Sequence, residues 1–265
     1  MLAPAFAIGW WRRRLKPRDY GLTCAGRRTT ALIAQGLLAF ALVMLPLQLL
    51  VLARQFIPLG PDPFMWTFVS RVDWTPPFWL FVAVSGFAVT SPLEEIFFRG
   101  YCQTRLEEDF GGIGAIVVVA LFMALGHSQY HHLSVLNVGI IACAVLSFLG
   151  IGWVYWRTRS LIPAMIIHGA MNVPTKGVWV FLLPAILVVV LVFFHEKWRN
   201  MVREFLAQVS SPGWKVATFS GAAVAVVMVI GFETQPDTFV PVCIVGLGVA
   251  LIIELRRKLK NKARI

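Results

Sequence analysis

Charge is scarce in this sequence, and acidic charge is the scarcest. Its 265 residues include 13 Asp and Glu against 24 Lys and Arg, and only 14% are charged. A soluble domain of this size needs far more polar surface, so that class is excluded. Cysteine is also rare. Cys24, Cys102, Cys143 and Cys243 are scattered without CxxC spacing, which indicates neither a disulfide framework nor a cysteine zinc site. The HExxH helix of zinc proteases is missing, since "HEKWR" from His195 lacks the second histidine. No internal repeat, no low-complexity linker and no aromatic-interleaved basic patch for nucleic acid is found.

Apolar residues are abundant instead, at 58% of the chain with a mean hydropathy of +0.75. A span needs about 20 mostly apolar residues to cross a hydrocarbon core of about 30 Å. Clear candidates are 30–53, 134–156, 177–195, 215–232 and 237–255. Three more segments, 77–100, 112–127 and 160–174, are apolar but carry Glu, Arg, His or Asn. The expected fold is therefore an all-α integral membrane bundle of about eight transmembrane helices.

Charge placement supports an even number of spans with both termini cytoplasmic. With eight spans, only Arg54, Arg71 and Lys176 of the basic residues fall outside, while "RRR" at 12–14 and the closing "RRKLKNKAR" stay inside. The net charge of +11 then faces the anionic lipids of the cytoplasmic leaflet rather than nucleic acid. The opening "MLAPAFAIGWWRRR" lacks the basic start of a secretory signal and reads as an uncleaved interfacial foot. The expected organisation is an N-terminal interfacial segment over 1–29, a membrane domain over 30–255 and a basic tail over 256–265. Within the membrane domain, 196–214 reads as a cytoplasmic amphipathic connector. Short basic connectors and no eukaryotic sorting signal point to a bacterial plasma membrane.

Against this apolar background a few ionisable and polar residues stand out: Glu94, Glu95, Arg99, His127, His131, His132, His168 and Asn172. Each intramembrane ionisable group costs about 2.5–3.5 kcal/mol on insertion scales and is a functional suspect. Glu95 and Arg99 have the i, i+4 spacing and orientation of a helical ion pair. Glu94 is expected to point about 100° away from Glu95, available as a base. The bland reading is that both acids mark a helix end, but Phe97, Phe98 and Tyr101 continue the apolar pattern past them. His168 and Asn172 are also i, i+4, and two hydrogen-bond donors one turn apart can hold a developing oxyanion or simply glue helices together. His127, His131 and His132 crowd one membrane edge, as a cap and surface groups or at metal-ligand spacing.

Taken together these residues resemble the CPBP family of intramembrane proteases, which includes the type II CAAX prenyl endopeptidases and the Abi proteins. Its EExxxR motif is matched by Glu94, Glu95 and Arg99, and its HxxxN motif by His168 and Asn172. The histidine of its FxxxH motif is matched by His127, although Met123 stands four residues before it and Phe122 one position earlier. The resemblance covers about residues 75–195, taken as a protease-like core. It implies peptide-bond hydrolysis within the bilayer, with Glu94 as general base aided by His127. His168 and Asn172 would stabilise the oxyanion, and Glu95 with Arg99 would support Glu94; His131 belongs to an extra histidine set found in some prenyl-protein-processing members. No cofactor is favoured. If a metal took part, one Zn2+ would be held by Glu94, His127 and His168. The implied substrate is a membrane-embedded or lipidated protein or peptide, with prenylated CAAX proteins the best-known class. The alternatives are a non-proteolytic membrane scaffold or immunity protein of the same family, and a proton-coupled transporter.

Overall fold

The computed structural model describes residues 21–22, 29–61, 75–127, 134–173, 175, 177–210, 214–215 and 218. Helix α1 (Thr29–Ala53) is a long apolar rod with Pro46 inside it. Helix α2 (Pro76–Ser85) opens on two prolines, tolerated there because first-turn N–H groups have no helical partner. The chain then runs without interruption through a π-helical turn, π1 (Gly86–Thr90), the short α3 (Ser91–Glu95), a second π segment, π2 (Ile96–Gln103), and into α4 (Thr104–Leu125). After it come α5 (Val135–Thr158), α6 (Leu161–Met171), α7 (Trp179–Phe193) and α8 (His195–Leu206), followed by a 3-10 turn. No strand occurs among the described residues, so the all-helical expectation holds for them.

Helix α4 is two helices joined at Gly111, whose φ of 72° and ψ of 167° lie in a region open in practice only to glycine. The chain reverses there. Phe98 packs on Phe122 at 6.1 Å between ring centroids, and Arg99 meets Met123. The helix of the EExxxR motif and the helix ending at His127 are thus the two arms of one hairpin. Helix α5 starts where the Ser134 side chain accepts from the Asn137 backbone N–H at 3.1 Å, and stops where Arg159 turns left-handed at φ 52°. Ser160 caps α6 in the same way through Ile162.

Helix α1 packs against α5, α6 and α7, and glycines let the backbones approach closely. A Cβ on Gly36 would lie 3.1 Å from Pro163 Cα, and one on Gly150 would overlap Val43. Such small-residue contacts suit helices that lipid cannot drive together hydrophobically. Val43 and Met44 of α1, Met123 of α4, Phe148 and Ile151 of α5 and Ile167 of α6 share one buried cluster.

Three helices among the described residues are long and apolar enough to span a membrane: Thr30–Ala53, Pro76–Glu108 and Val135–Thr158. The bent pair α7 and α8, angled at 83°, makes a fourth if it counts as one span. Three expected spans differ, and 112–127 among them matches only the shorter apolar helix Phe110–Ala124. Segment 77–100 is part of a 33-residue helix, and 160–174 holds an 11-residue helix. At about 1.5 Å per residue, α6 reaches only about halfway across the hydrocarbon core. The expected amphipathic connector is present as α8, with Met201 buried and Lys197, Arg199 and Arg203 exposed. It is held to α5 by the Arg157–Glu204 ion pair at 2.7 Å and by Phe205 edge-on to Trp153. The interfacial segment 1–29 apart from Gly21, Leu22 and Thr29, the tail at 256–265 and, apart from Lys215 and Thr218, the spans 215–232 and 237–255 lie outside the described residues.

Candidate active site

A polar row runs along the buried face of the π-interrupted helix. Ser91, Glu95, Arg99 and Gln103 are all fully buried, and Glu107 continues their spacing of four. Each residue bonds to a different turn of a neighbouring helix. Ser91 Oγ donates to the Met165 carbonyl at 2.7 Å and Glu95 Oε1 meets His168 Nδ1 at 2.7 Å, both on α6. On α5, Arg99 Nη2 donates to the Phe148 carbonyl at 3.2 Å and Gln103 Nε2 to the Gly152 carbonyl at 3.0 Å. Glu107 accepts from the Trp156 indole at 2.7 Å and from both terminal nitrogens of Arg159.

Geometry explains why π-helix is needed here. In an α-helix of 3.6 residues per turn, four residues overshoot a turn by about 40°. From Ser91 to Glu107 the drift would reach about 160° and put the two ends of the row on opposite faces. The wider π turns, with i→i+5 hydrogen bonding, absorb that overshoot. Local side chains support them, since Thr104 Oγ1 donates to the Arg99 carbonyl five residues back at 3.1 Å and pairs with Tyr155 Oη at 3.0 Å.

At the centre of the row, the His168 imidazole lies between the two carboxylates. Its Nδ1 faces Glu95, and its Nε2 lies 3.7 Å from Glu94 Oε2. Glu94 and Glu95, expected to diverge by about 100° along the helix, both contact this one ring. Each carboxylate reaches a different nitrogen of the same ring. Glu95 is fully buried, whereas the Glu94 side chain is 39% exposed. The expected Glu95–Arg99 pair is present at 3.4 Å. Neither Arg99 Nε nor Glu95 Oε2 has hydrogen-bond geometry, so that contact is coulombic. Arg99 makes its directed contacts to the Phe148 carbonyl and to Met123 Sδ at 2.7 Å.

His127 comes from the other arm of the hairpin. Its Nδ1 lies 2.7 Å from the Met123 carbonyl. A carbonyl can only accept, so Nδ1 carries the proton and Nε2 is the accepting nitrogen of the neutral ring. An aromatic ring beside His127 is that of Phe148, from α5. The Phe148 ring centroid lies 5.4 Å from that of His127 and 5.9 Å from that of His168, with the Arg99 guanidinium also at 5.9 Å. Phe148 is therefore a wall shared by three of the motif residues. Met123, the apparent departure from the second motif, contributes its carbonyl to His127 and its sulfur to Arg99.

Asn172 ends α6 one turn beyond His168, as expected. A Cβ on Gly86 would lie 3.1 Å from the Asn172 Cβ, so π1 seats directly against this turn. The Asn172 amide nitrogen is buried and has no hydrogen-bond partner among the described residues. Arg99, His127 and His168 thus gather around Phe148, with Glu94 and Glu95 against His168 and Asn172 at the end of α6. His131 and His132 lie outside the described residues. Among the described residues no three His, Cys, Asp or Glu side chains form a group able to hold a metal ion.

Ser91, Gln103, Glu107 and Phe148 are absent from the sequence candidates. The first three were detectable as an S-x3-E-x3-R-x3-Q-x3-E row from 91 to 107, a period of four that no ideal α-helix keeps on one face. Phe148 has no such signal, being one of many apolar residues in a continuous apolar helix.

Residues 73–174 match the family model described as Type II CAAX prenyl endopeptidase Rce1-like. That stretch holds all three motifs and bears out the resemblance read from the sequence. No curated protein and no solved structure matches the chain.

Proposed function

We propose that this protein is an intramembrane endopeptidase that hydrolyses a peptide bond of a membrane-associated substrate, with prenylated CAAX-type proteins the leading class. The observation that carries this reading is the Glu94–His168–Glu95 array, in which residues from two distant motifs hold one imidazole between two carboxylates. The match to a protease family over the same residues supports it.

In the mechanism we favour, Glu94 takes a proton from a water molecule as the water oxygen attacks the scissile carbonyl carbon. The carbonyl π electrons move onto oxygen and give a tetrahedral oxyanion. His127 Nε2, an acceptor because Nδ1 faces a carbonyl, helps hold that water. The Asn172 amide is a preorganised donor for the oxyanion. His168 donates its Nδ1 proton to Glu95, so it can donate from Nε2 only when both nitrogens are protonated. In that state its charge and that of Arg99 balance the two carboxylates, and the site is neutral overall. Collapse of the intermediate breaks the C–N bond, and the proton taken by Glu94 passes to the leaving amine. The products are a carboxylic acid and an amine.

Around this centre we place eight spans with both termini cytoplasmic, in a bacterial plasma membrane, and basic termini facing anionic lipid. The test is cleavage of a farnesylated CAAX peptide by the full-length protein in liposomes, read by mass spectrometry. Cleavage that disappears in Glu94→Ala supports the mechanism. Equal rates in Glu94→Ala and the parent protein would overturn it.

A further inference from the structure

The catalytic reading uses the N-terminal half of the polar row and leaves its C-terminal half without a task. Gln103 is the most unusual member of that half. It is fully buried, it closes π2, and its amide donates to the Gly152 carbonyl of α5. Its own Oε1 has no hydrogen-bond partner among the described residues and sits 3.0 Å from where a Cβ on Gly152 would be. A half-satisfied amide in an apolar interior is a poor choice for stability alone, because an apolar side chain of similar shape removes the unpaired acceptor. Gly152 accommodates that amide by lacking a side chain, and a Cβ there would also lie 3.1 Å from Ile116.

We propose that Gln103 is a positioning residue for the Glu94–Glu95 centre, acting as the register lock of π2; this rests on the protease reading above. A π segment persists only while outside contacts hold it, since α-helical hydrogen bonding is the relaxed alternative. Arg99 and Gln103 pin π2 to α5 at Phe148 and Gly152, one α-helical turn apart, and thereby fix how many residues fill each turn. Release of the Gln103 end lets π2 tighten toward α-helix. Such tightening rotates everything on its N-terminal side, which includes Glu94 and Glu95, relative to His168.

The experiment compares Gln103→Leu and Gly152→Ala with the parent protein, full length and reconstituted in liposomes. Leucine removes the amide and its unpaired acceptor together. Alanine at 152 displaces the amide while leaving Gln103 intact, so the two variants should agree. The expected result is a melting temperature for Gln103→Leu at or above the parent value, with kcat lowered about 10- to 100-fold and KM within about twofold. A second readout needs no activity: the 15N chemical shifts of the His168 ring nitrogens in histidine-labelled protein should move in both variants. Lowered stability with unchanged kcat and unmoved His168 signals would overturn the proposal and leave Gln103 a packing residue. A parent protein that cleaves nothing, with His168 signals that still move, would overturn the protease reading and leave the positioning role supported.

Discussion

Glu95 and His168 stand 73 positions apart in the chain and meet at 2.7 Å, carboxylate to imidazole, with neither side chain appreciably exposed. The contact fixes which ring nitrogen is protonated, aims the other toward Glu94 and neutralises part of the field of buried Arg99. Glu95 therefore has a coupled structural and electrostatic task, whereas Glu94 is the more accessible group. The two adjacent glutamates should respond differently to the same substitution.

Glu95→Gln should destabilise the fold. Removal of one partner from a buried charge pair typically costs about 3–5 kcal/mol, because the other charge is left uncompensated. Arg99 would be that charge, with a carbonyl and a thioether as its directed partners among the described residues. Thermal unfolding in detergent checks this, and a melting temperature equal to that of the parent would contradict the arrangement.

Glu94→Gln should behave in the opposite way. Its partly exposed carboxylate has one long contact to His168, so folding and insertion should be close to those of the parent. Loss of a general base typically lowers turnover about 100- to 10,000-fold. Peptide cleavage and thermal unfolding measured on one preparation separate the two effects.

Asn172→Ala tests whether the buried amide is there for chemistry. The amide nitrogen has no partner among the described residues, so its deletion removes no hydrogen bond there and stability should hold or rise slightly. Loss of an oxyanion donor, in contrast, costs about 100- to 1,000-fold in kcat. A large fall in stability with unchanged turnover would make Asn172 a helix-packing residue.

Gly111→Ala addresses the hairpin. A backbone conformation restricted to glycine costs an L-residue on the order of 1–3 kcal/mol. The expected outcome is a lowered melting temperature with a proportionate loss of activity, because both arms of the hairpin carry site residues. Preserved stability would indicate that the turn can be made another way.

Much of the site could be read from the sequence because its chemistry is conspicuous against lipid. Glu94, Glu95, Arg99, His127, His168 and Asn172 are polar where apolar residues are expected, and that contrast needs no knowledge of helix geometry. The meeting of Glu94 and Glu95 on one imidazole could not be read, since spacing within one helix does not show that His168 of α6 packs between them. The role of Met123 was hidden for a related reason, because spacing alone does not show that a thioether lies under Arg99. Apolar runs identify membrane helices but not whether each crosses. Segment 160–174 looks like a span by composition, yet α6 within it stops after 11 residues at the turn that carries His168 and Asn172.

Glu94 lies on a helix whose outward face also presents Phe87, Leu93 and Val89 to the surroundings. Under the proposed function, a carboxylate framed by side chains that prefer hydrocarbon would meet molecules already dissolved in the bilayer sheet and arriving by lateral diffusion. For such a catalyst the effective concentration is a mole fraction in lipid, not moles per litre of buffer. Inert phospholipid added at constant substrate should slow the reaction, while added water leaves it unchanged.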